Sequence, residues 1–342
     1  MRILVIQTAF IGDVILITPL IKQLKMVFPN SLIDVVVMAT CAKLLENNPN
    51  INKIIVFNKK SGFLSFKKFI KEVKSNGYDV SISPHSSFRT GLLTFLARIK
   101  TRIGFKRNLQ KYLLTESIPH PKYIHKKNKN LNLLSILKQS PQYSLNTELF
   151  PSNDDYQKAH NLMDSFLSPV ILISPGSVWP TKRWPVENYL QLTNKLLDND
   201  FCIVLSGSQA EREICDYIYQ NTEKKNKIKN IAGEYNLLES AAVIDKVELV
   251  ICNDSGALHI ANAMNTPVFA FFGPTVKNIG YFPYRENDFI FQTNLPCRPC
   301  GSHGGRKCPQ KHFGCMKKIE VDIVFNKIRD FFDVEKRLIE SD

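Results

Sequence analysis

No stretch of this 342-residue sequence comes near the roughly 18 consecutive apolar residues that a bilayer-crossing helix needs. The start of the chain is apolar, but Gln7 and Asp13 interrupt it before the basic–apolar–small pattern of a secretory leader can form. These absences lead us to expect a protein kept in the cytoplasm, with its eight cysteines as reduced thiols or metal ligands and not disulfides. There is no GxGxxG, so a dinucleotide fingerprint is missing. No segment is low in complexity. Hydrophobic residues at 44% and charged residues at 22% describe a folded chain, long enough for two domains with sizeable cores.

Acidic residues are scarce in one half only. Residues 1–150 hold 23 Lys+Arg against 7 Asp+Glu, a net of +16; residues 151–342 hold 22 against 24, a net of −2. The densest basic stretch takes in Arg98, Lys100, Arg102, Lys106, Arg107, Lys111, Lys122, Lys126, Lys127 and Lys129, opposed only by Glu116. It reads either as a solvated face that favours solubility or as a surface for a polyanion. Aromatic residues in it are too sparse for stacking on nucleic-acid bases.

Apolar strand runs alternate with amphipathic helical segments, the signature of βαβ units and parallel sheets. Strands are expected at 3–6, 32–38, 51–57 and 79–83, and again at 170–174, 201–206, 249–252 and 268–272. Helices are expected at 14–28, 64–74, 91–99, 186–198, 211–220, 237–245, 256–264 and 317–337. The rhythm breaks over 107–155, rich in Lys, Asn, Ser and Pro, where only 131–137 looks helical. The expected organisation is an N-terminal domain over 1–155, a C-terminal domain over 156–320, and a terminal helical segment over 321–342 that packs back on the first domain.

Four motifs carry candidate chemistry. In Gln7-Thr8-Ala9-Phe10-Ile11-Gly12-Asp13 a carboxylate sits near a helix start, either as a plain N-cap or as a general base. In the segment from Ser174 to Pro185, Gly176 and Ser177 can offer amide and hydroxyl donors to a phosphate, and Lys182 and Arg183 can offer charge. Trp184 and Pro185 read as the seat of the following helix. Asp254, Ser255, Gly256 and Ala257 open a helix whose exposed amides suit an anion, and His259 lies one turn in. Cys297, Cys300, Cys308 and Cys315 suggest either a structural zinc site or free thiols, with His303 and His312 as substitute ligands. Asp198-Asn199-Asp200 has metal-binding DxD spacing but falls at the wrong end of a strand, so a solvated turn explains it.

Read together, Ile-Gly-Asp, Pro-Gly-Ser…Lys-Arg-Trp-Pro, Ser206-Gly207-Ser208, Asn-Asp-Ser-Gly-Ala-Leu-His and Phe-Phe-Gly-Pro-Thr resemble the ADP-heptose:lipopolysaccharide heptosyltransferases, glycosyltransferase family 9, over nearly the whole chain. The cysteine insert resembles that of the second-heptose type. The resemblance implies an α/β GT-B fold: two Rossmann-like doubly wound parallel-sheet domains facing a central cleft, acceptor on the first and donor on the second. It implies inverting transfer of heptose from ADP-L-glycero-D-manno-heptose to the inner core of lipopolysaccharide, with no cofactor or metal required for catalysis. Asp13 matches the family's base and Lys182 its phosphate lysine. Ser177, Gln209, Asp254, Ser255, Gly256 and His259 match the donor-binding positions; Gln209 stands where some members carry a glutamate. Gly12, Arg89, Lys106 and Arg107 are the candidate acceptor contacts. Expected partners are ADP-heptose, Kdo-lipid A or its heptosylated form, and the anionic inner face of the inner membrane, but not nucleic acid. The competing readings are another GT-B nucleotide-sugar transferase with a different donor or acceptor, and a basic nucleic-acid-associated zinc protein.

Overall fold

The computed structural model describes residues 1–58, 62–167 and 169–339, with side chains to residue 334 in the last helix. The chain forms two compact units, Met1–Ser152 and Asn153–Asp342. The expected boundary at 155 falls inside the helix Asn153–Met163.

Each unit is built on a six-stranded, all-parallel sheet. The first contains β1 (Arg2–Ile6), β2 (Leu32–Val37), β3 (Lys53–Val56), β4 (Val80–Ser83), β5 (Thr101–Phe105) and β6 (Glu116–Ile118). Its spatial order is β3-β2-β1-β4-β5-β6. The second contains β7 (Val170–Ser174), β8 (Cys202–Leu205), β9 (Ile228–Asn230), β10 (Leu249–Asn253), β11 (Val268–Phe272) and β12 (Phe289–Gln292). Its order, β12-β11-β10-β7-β8-β9, repeats the first with strand positions matched one for one. Central strands such as Ile3, Leu4, Val5 and Ile6 of β1 are wholly buried, because parallel crossovers put helices on both faces.

In each sheet the strand order reverses once, between β1 and β4 and between β7 and β10. A crevice opens at such a switch point, beyond the carboxyl ends of the two strands, and ligands settle there. The motif containing Asp13 follows β1. The Pro-Gly-Ser and Asn-Asp-Ser-Gly motifs follow β7 and β10. Topology therefore places all three at switch points.

Several elements depart from expectation. The segment expected as one helix over 14–28 is two, Ile11–Ile15 and Thr18–Val27, with Pro19 in the first turn of the second. Proline lacks the N–H that an unbroken helix would need there. β5, β6, β9 and β12 were missed: all but β5 are three- or four-residue pieces near a sheet edge, and β5 reads Thr-Arg-Ile-Gly-Phe. The terminal helix Val321–Ile339 contributes Val324, Ile328 and Phe332 to the core of the second unit, alongside Trp184.

Trp184 is the hub of that core. It is fully buried, stacks on Phe271 at 4.4 Å, meets Tyr189 edge-on at 5.1 Å, and donates Nε1–H to the Ile319 carbonyl at 3.0 Å. Trp184→Ala is expected to lower the free energy of unfolding by about 3–5 kcal/mol, the usual cost of emptying an aromatic site. Urea denaturation followed by fluorescence would check this; an unchanged midpoint would show that the ring is not a packing anchor.

Candidate functional site

The second unit's switch point is organised by a residue that sequence reasoning passed over. Asn253 ends β10 and is fully buried. Its Oδ1 accepts from the Trp184 N–H at 2.9 Å and the Tyr189 hydroxyl at 3.1 Å. Its Nδ2 donates to the carbonyls of Pro175 at 2.8 Å and Gly176 at 3.0 Å. One side-chain amide thus ties the loop after β7, the Lys-Arg-Trp-Pro segment and the end of β10 into one body.

The next residue, Asp254, faces Lys182. The two form an ion pair of 2.6 Å, with their side chains only 7% and 12% exposed. Thr275 donates its hydroxyl to the same carboxylate oxygen at 2.7 Å. An ammonium has three N–H donors, so Lys182 keeps donors beyond the one that Asp254 uses. Ser255 caps the nine-residue helix Gly256–Met264, yet its side chain makes no capping bond. Its Oγ is buried and has no hydrogen-bond partner among the described residues. Amides at a helix start together with an uncommitted hydroxyl and a lysine suit a phosphate-bearing ligand. Ser177 is buried at the rim of this group, and its carbonyl accepts from Arg183 at 2.8 Å. His259 is buried one turn along, with its ring edge-on to Tyr281.

At Gln209 the structure adds a residue. Gln209 lies against Gly233, where a Cβ would come within 2.3 Å of its Oε1. The carboxyl lying against the loop after β7 belongs to Glu211, which a Cβ on Gly176 would meet at 2.2 Å. Glu211 also accepts from the Ser208 amide and hydroxyl, at 2.9 and 2.8 Å.

In the first unit, Asp13 sits in the first turn of the helix Ile11–Ile15. The N-cap of that helix is Phe10, so Asp13 is not the N-cap itself. Gly12 is buried beside it. Across the switch point Thr8 Oγ1 and His85 Nδ1 are 3.2 Å apart. Lys106 and Arg107 are exposed just beyond β5. Arg89 lies with its guanidinium over the rings of Phe57 and Phe66, at 5.1 and 4.8 Å. The basic stretch expected at the surface is partly inside: Lys126, Lys127 and Lys129 are each 7% exposed or less.

The four cysteines are not assembled as their spacing suggested. Among the described residues no three His, Cys, Asp or Glu side chains converge to hold a metal ion. Cys315 is drawn into the second unit's hydrophobic core while Cys300 is exposed, although both line one cavity with Cys308. The thiols as placed do not fit a tetrahedral zinc site. Their loop does other work. Arg298 donates to the carbonyls of Gly273, Thr293, Phe272 and Thr275, the last two at 2.9 Å. Thr181 and Gly305 exchange hydrogen bonds, and a Cβ on Gly304 would meet Trp179 at 2.6 Å and Lys182 at 2.9 Å. The cysteine-bearing loop is therefore clamped onto the segment that presents Lys182. Asp198 and Asp200 pair with Lys224 and Lys227 on the surface, which disposes of a DxD metal site.

With this geometry in place, comparison with known proteins decides the family. The model of glycosyltransferase family 9 (heptosyltransferase) matches residues 66–311. The chain belongs to this family. Lipopolysaccharide heptosyltransferase 2 of Escherichia coli K12 is 29% identical over 291 residues, 80% of this chain and 83% of the relative. Lipooligosaccharide heptosyltransferase 2 of Campylobacter jejuni, strain 81116, is 25% identical over 96% of this chain and 98% of its own. The solved structure of E. coli ADP-heptose LPS heptosyltransferase II superposes with a TM-score of 0.83, at 24% identity, over 98% of this chain and all of that one. This family 9 glycosyltransferase thus has the two-sheet GT-B architecture.

Asn253→Ala in this glycosyltransferase should lower stability by about 1–3 kcal/mol, because four buried partners lose their hydrogen bonds. If these loops hold the nucleotide, it should also weaken ADP binding, since two loops at the switch point lose their common anchor. Calorimetric titration with ADP, alongside thermal unfolding, would check both; full ADP affinity at reduced stability would show that the loops hold their shape without it.

Proposed function

We propose that this family 9 enzyme transfers heptose from ADP-heptose to an inner-core lipopolysaccharide acceptor with inversion at the anomeric carbon. The observation that carries the reading is the buried Lys182–Asp254 pair beside the open helix start at Ser255, at the switch point of the second sheet. The names of the matched relatives supply the donor and acceptor classes.

In this mechanism Asp13 takes the proton from the acceptor hydroxyl. The freed oxygen attacks the anomeric carbon opposite the diphosphate, the bond from that carbon to the diphosphate oxygen breaks, and ADP departs. Lys182 and the amides at Ser255 and Gly256 stabilise charge growing on the leaving diphosphate. Asp254 fixes the Lys182 ammonium and turns its remaining donors outward. Glu211 and Gln209 are the candidates for the nucleoside side of the donor. Neither the base nor the lysine needs a metal ion for this division of labour.

The basic first unit suits an acceptor embedded in an anionic leaflet. Among the described residues no helix is long and apolar enough to cross a membrane. Attachment is then electrostatic and screened by salt, with a Debye length near 8 Å at physiological ionic strength. Liposomes containing anionic lipid should therefore pull down the enzyme at low salt and release it at high salt; retention indifferent to salt would contradict this.

A donor screen tests the reaction itself. ADP-heptose should support transfer, with UDP- and GDP-sugars inactive; turnover with one of these instead would reassign the donor. Asp13→Ala should lower turnover by about 10²–10⁴-fold while ADP affinity is kept, the range expected of general-base assistance. Wild-type turnover in that variant would remove Asp13 from the base role.

A further inference from the structure

The four thiols of the insert hold no metal-binding arrangement among the described residues, yet two of them are placed for a different chemistry. Cys297 and Cys300 enclose Arg298 and Pro299 in a CxxC segment. Cys300 is exposed, and its Sγ–H donates to the Cys297 carbonyl at 3.4 Å, which holds its sulfur against the other member of the pair. The Cys297 sulfur lies 3.9 Å from His312 Nε2. His312 Nδ1 accepts from the Gly314 N–H at 2.8 Å, so the neutral ring carries its hydrogen on Nε2 and presents it to that sulfur. The neighbouring Cys308 and Cys315 share a cavity with Cys300, Thr181, Gly304 and Gly305.

Burial, with the charges of Cys297 and Cys308, pushes the Cys300 thiol up. Burial, with the charges of Cys300, Cys308 and Cys297, does the same to Cys315. Thiols of this kind gain little by ionising, so the reduced state has no electrostatic advantage over a disulfide. The CxxC segment also reaches the switch point of the second sheet. Arg298 donates to the carbonyls of Phe272 and Thr275 at 2.9 Å, and the Cys300 N–H donates to the Pro274 carbonyl at 2.9 Å. The Thr275 hydroxyl meets Asp254 at 2.7 Å, and Asp254 meets Lys182 at 2.6 Å. A change of freedom in the CxxC segment is thus passed through the loop after β11 to the Lys182 ammonium.

We propose that Cys297 and Cys300 form a dithiol site that exchanges with low-molecular-weight disulfides, and that the resulting Cys297–Cys300 bond tightens donor binding. The second half rests on the heptosyl-transfer reading above; the first does not. Cys297 gives its proton to solvent, and its sulfur attacks one sulfur of the small disulfide. The S–S bond of the small disulfide breaks, and one thiolate leaves and takes up a proton. Cys300, deprotonated in turn, attacks the Cys297 sulfur of the mixed disulfide and expels the second thiolate, which is protonated. The protein gives up two hydrogens and the small disulfide receives them, ending as two thiols. The new bond closes a ring around Arg298, so the loop has less freedom to lose when ADP orders it.

The test uses the full-length enzyme, fully reduced and then incubated with glutathione disulfide, with intact mass and peptide mapping as the first readout. The wild type should lose two hydrogens, with the crosslink joining Cys297 to Cys300. Cys300→Ser should stop halfway, carrying one glutathione on Cys297, and Cys297→Ser should form no crosslink. Calorimetric titration with ADP is the second readout. The oxidised wild type should bind ADP at least about fivefold more tightly than the reduced form, the lower end of coupling between linked sites, and re-reduction should reverse the gain. Cys297→Ser should bind ADP like the reduced wild type under either treatment. Absence of a crosslink, a crosslink mapping to other cysteines, or one equivalent of metal held by the purified enzyme would overturn the dithiol site. Equal or weaker ADP affinity after oxidation would overturn the coupling. If neither form bound ADP, the donor reading would fail, while the mass readout would still decide the dithiol.

Discussion

The switch point of the second sheet depends on the side-chain amide of Asn253. An amide in a dry interior must satisfy both its oxygen and its two N–H groups, or it costs more than it contributes. Asn253 meets that demand with four partners drawn from separate parts of the chain: Trp184, Tyr189, Pro175 and Gly176. Once those bonds are made, the positions of several other groups follow. Trp184 is drawn against Phe271, and Lys182, two residues before it, reaches the Asp254 carboxylate. Thr275 closes on the same carboxylate from the end of β11, and Arg298 holds the carbonyl of Thr275. Polar networks of this kind specify one arrangement because a half-made version is penalised.

The two units handle charge in opposite ways. In the second, Lys182 is matched by Asp254 at 2.6 Å, and the exposed Asp198 and Asp200 are paired with Lys224 and Lys227. In the first, Lys126 is buried against the Phe105 ring, and the carboxylate whose charge acts on it is Asp13. The net charges of the two halves, +16 and −2, are the coarse sign of this difference; the burial of Lys126 is its local form.

The cysteine-bearing insert illustrates how spacing can suggest one chemistry and packing deliver another. CxxC followed by two further cysteines looks like a ligand set, yet Cys315 belongs to the hydrophobic core and Cys300 to the surface. What the insert supplies is a brace. Arg298 gathers carbonyls around the end of β11, and Gly304 and Gly305 come close enough to Trp179, Thr181 and Lys182 that no larger residue would fit at position 304. The brace acts on the segment that carries Lys182, so the insert shapes the switch point of the second sheet.

How much was legible in the sequence follows from the range over which each property is set. Periodicity located the central strands β1, β2, β4, β7, β10 and β11, because strands buried on both faces must be continuously apolar. The motifs at Asp13, Lys182 and Asp254 were visible because each follows such a strand, where βαβ topology puts ligand loops. The edge strands β6, β9 and β12 were not visible, since three or four half-exposed residues carry no periodic signal. Asn253 looked like one more residue of a motif, and Lys126 like one more solvated lysine. Their roles come from partners 64–78 positions away in one case, and from Asp13 and Phe105 in the other. Local sequence determines which residues can form a strand, a cap or a phosphate loop. Which amide joins three loops, and which charge is left buried, is decided only when distant segments pack and exclude water.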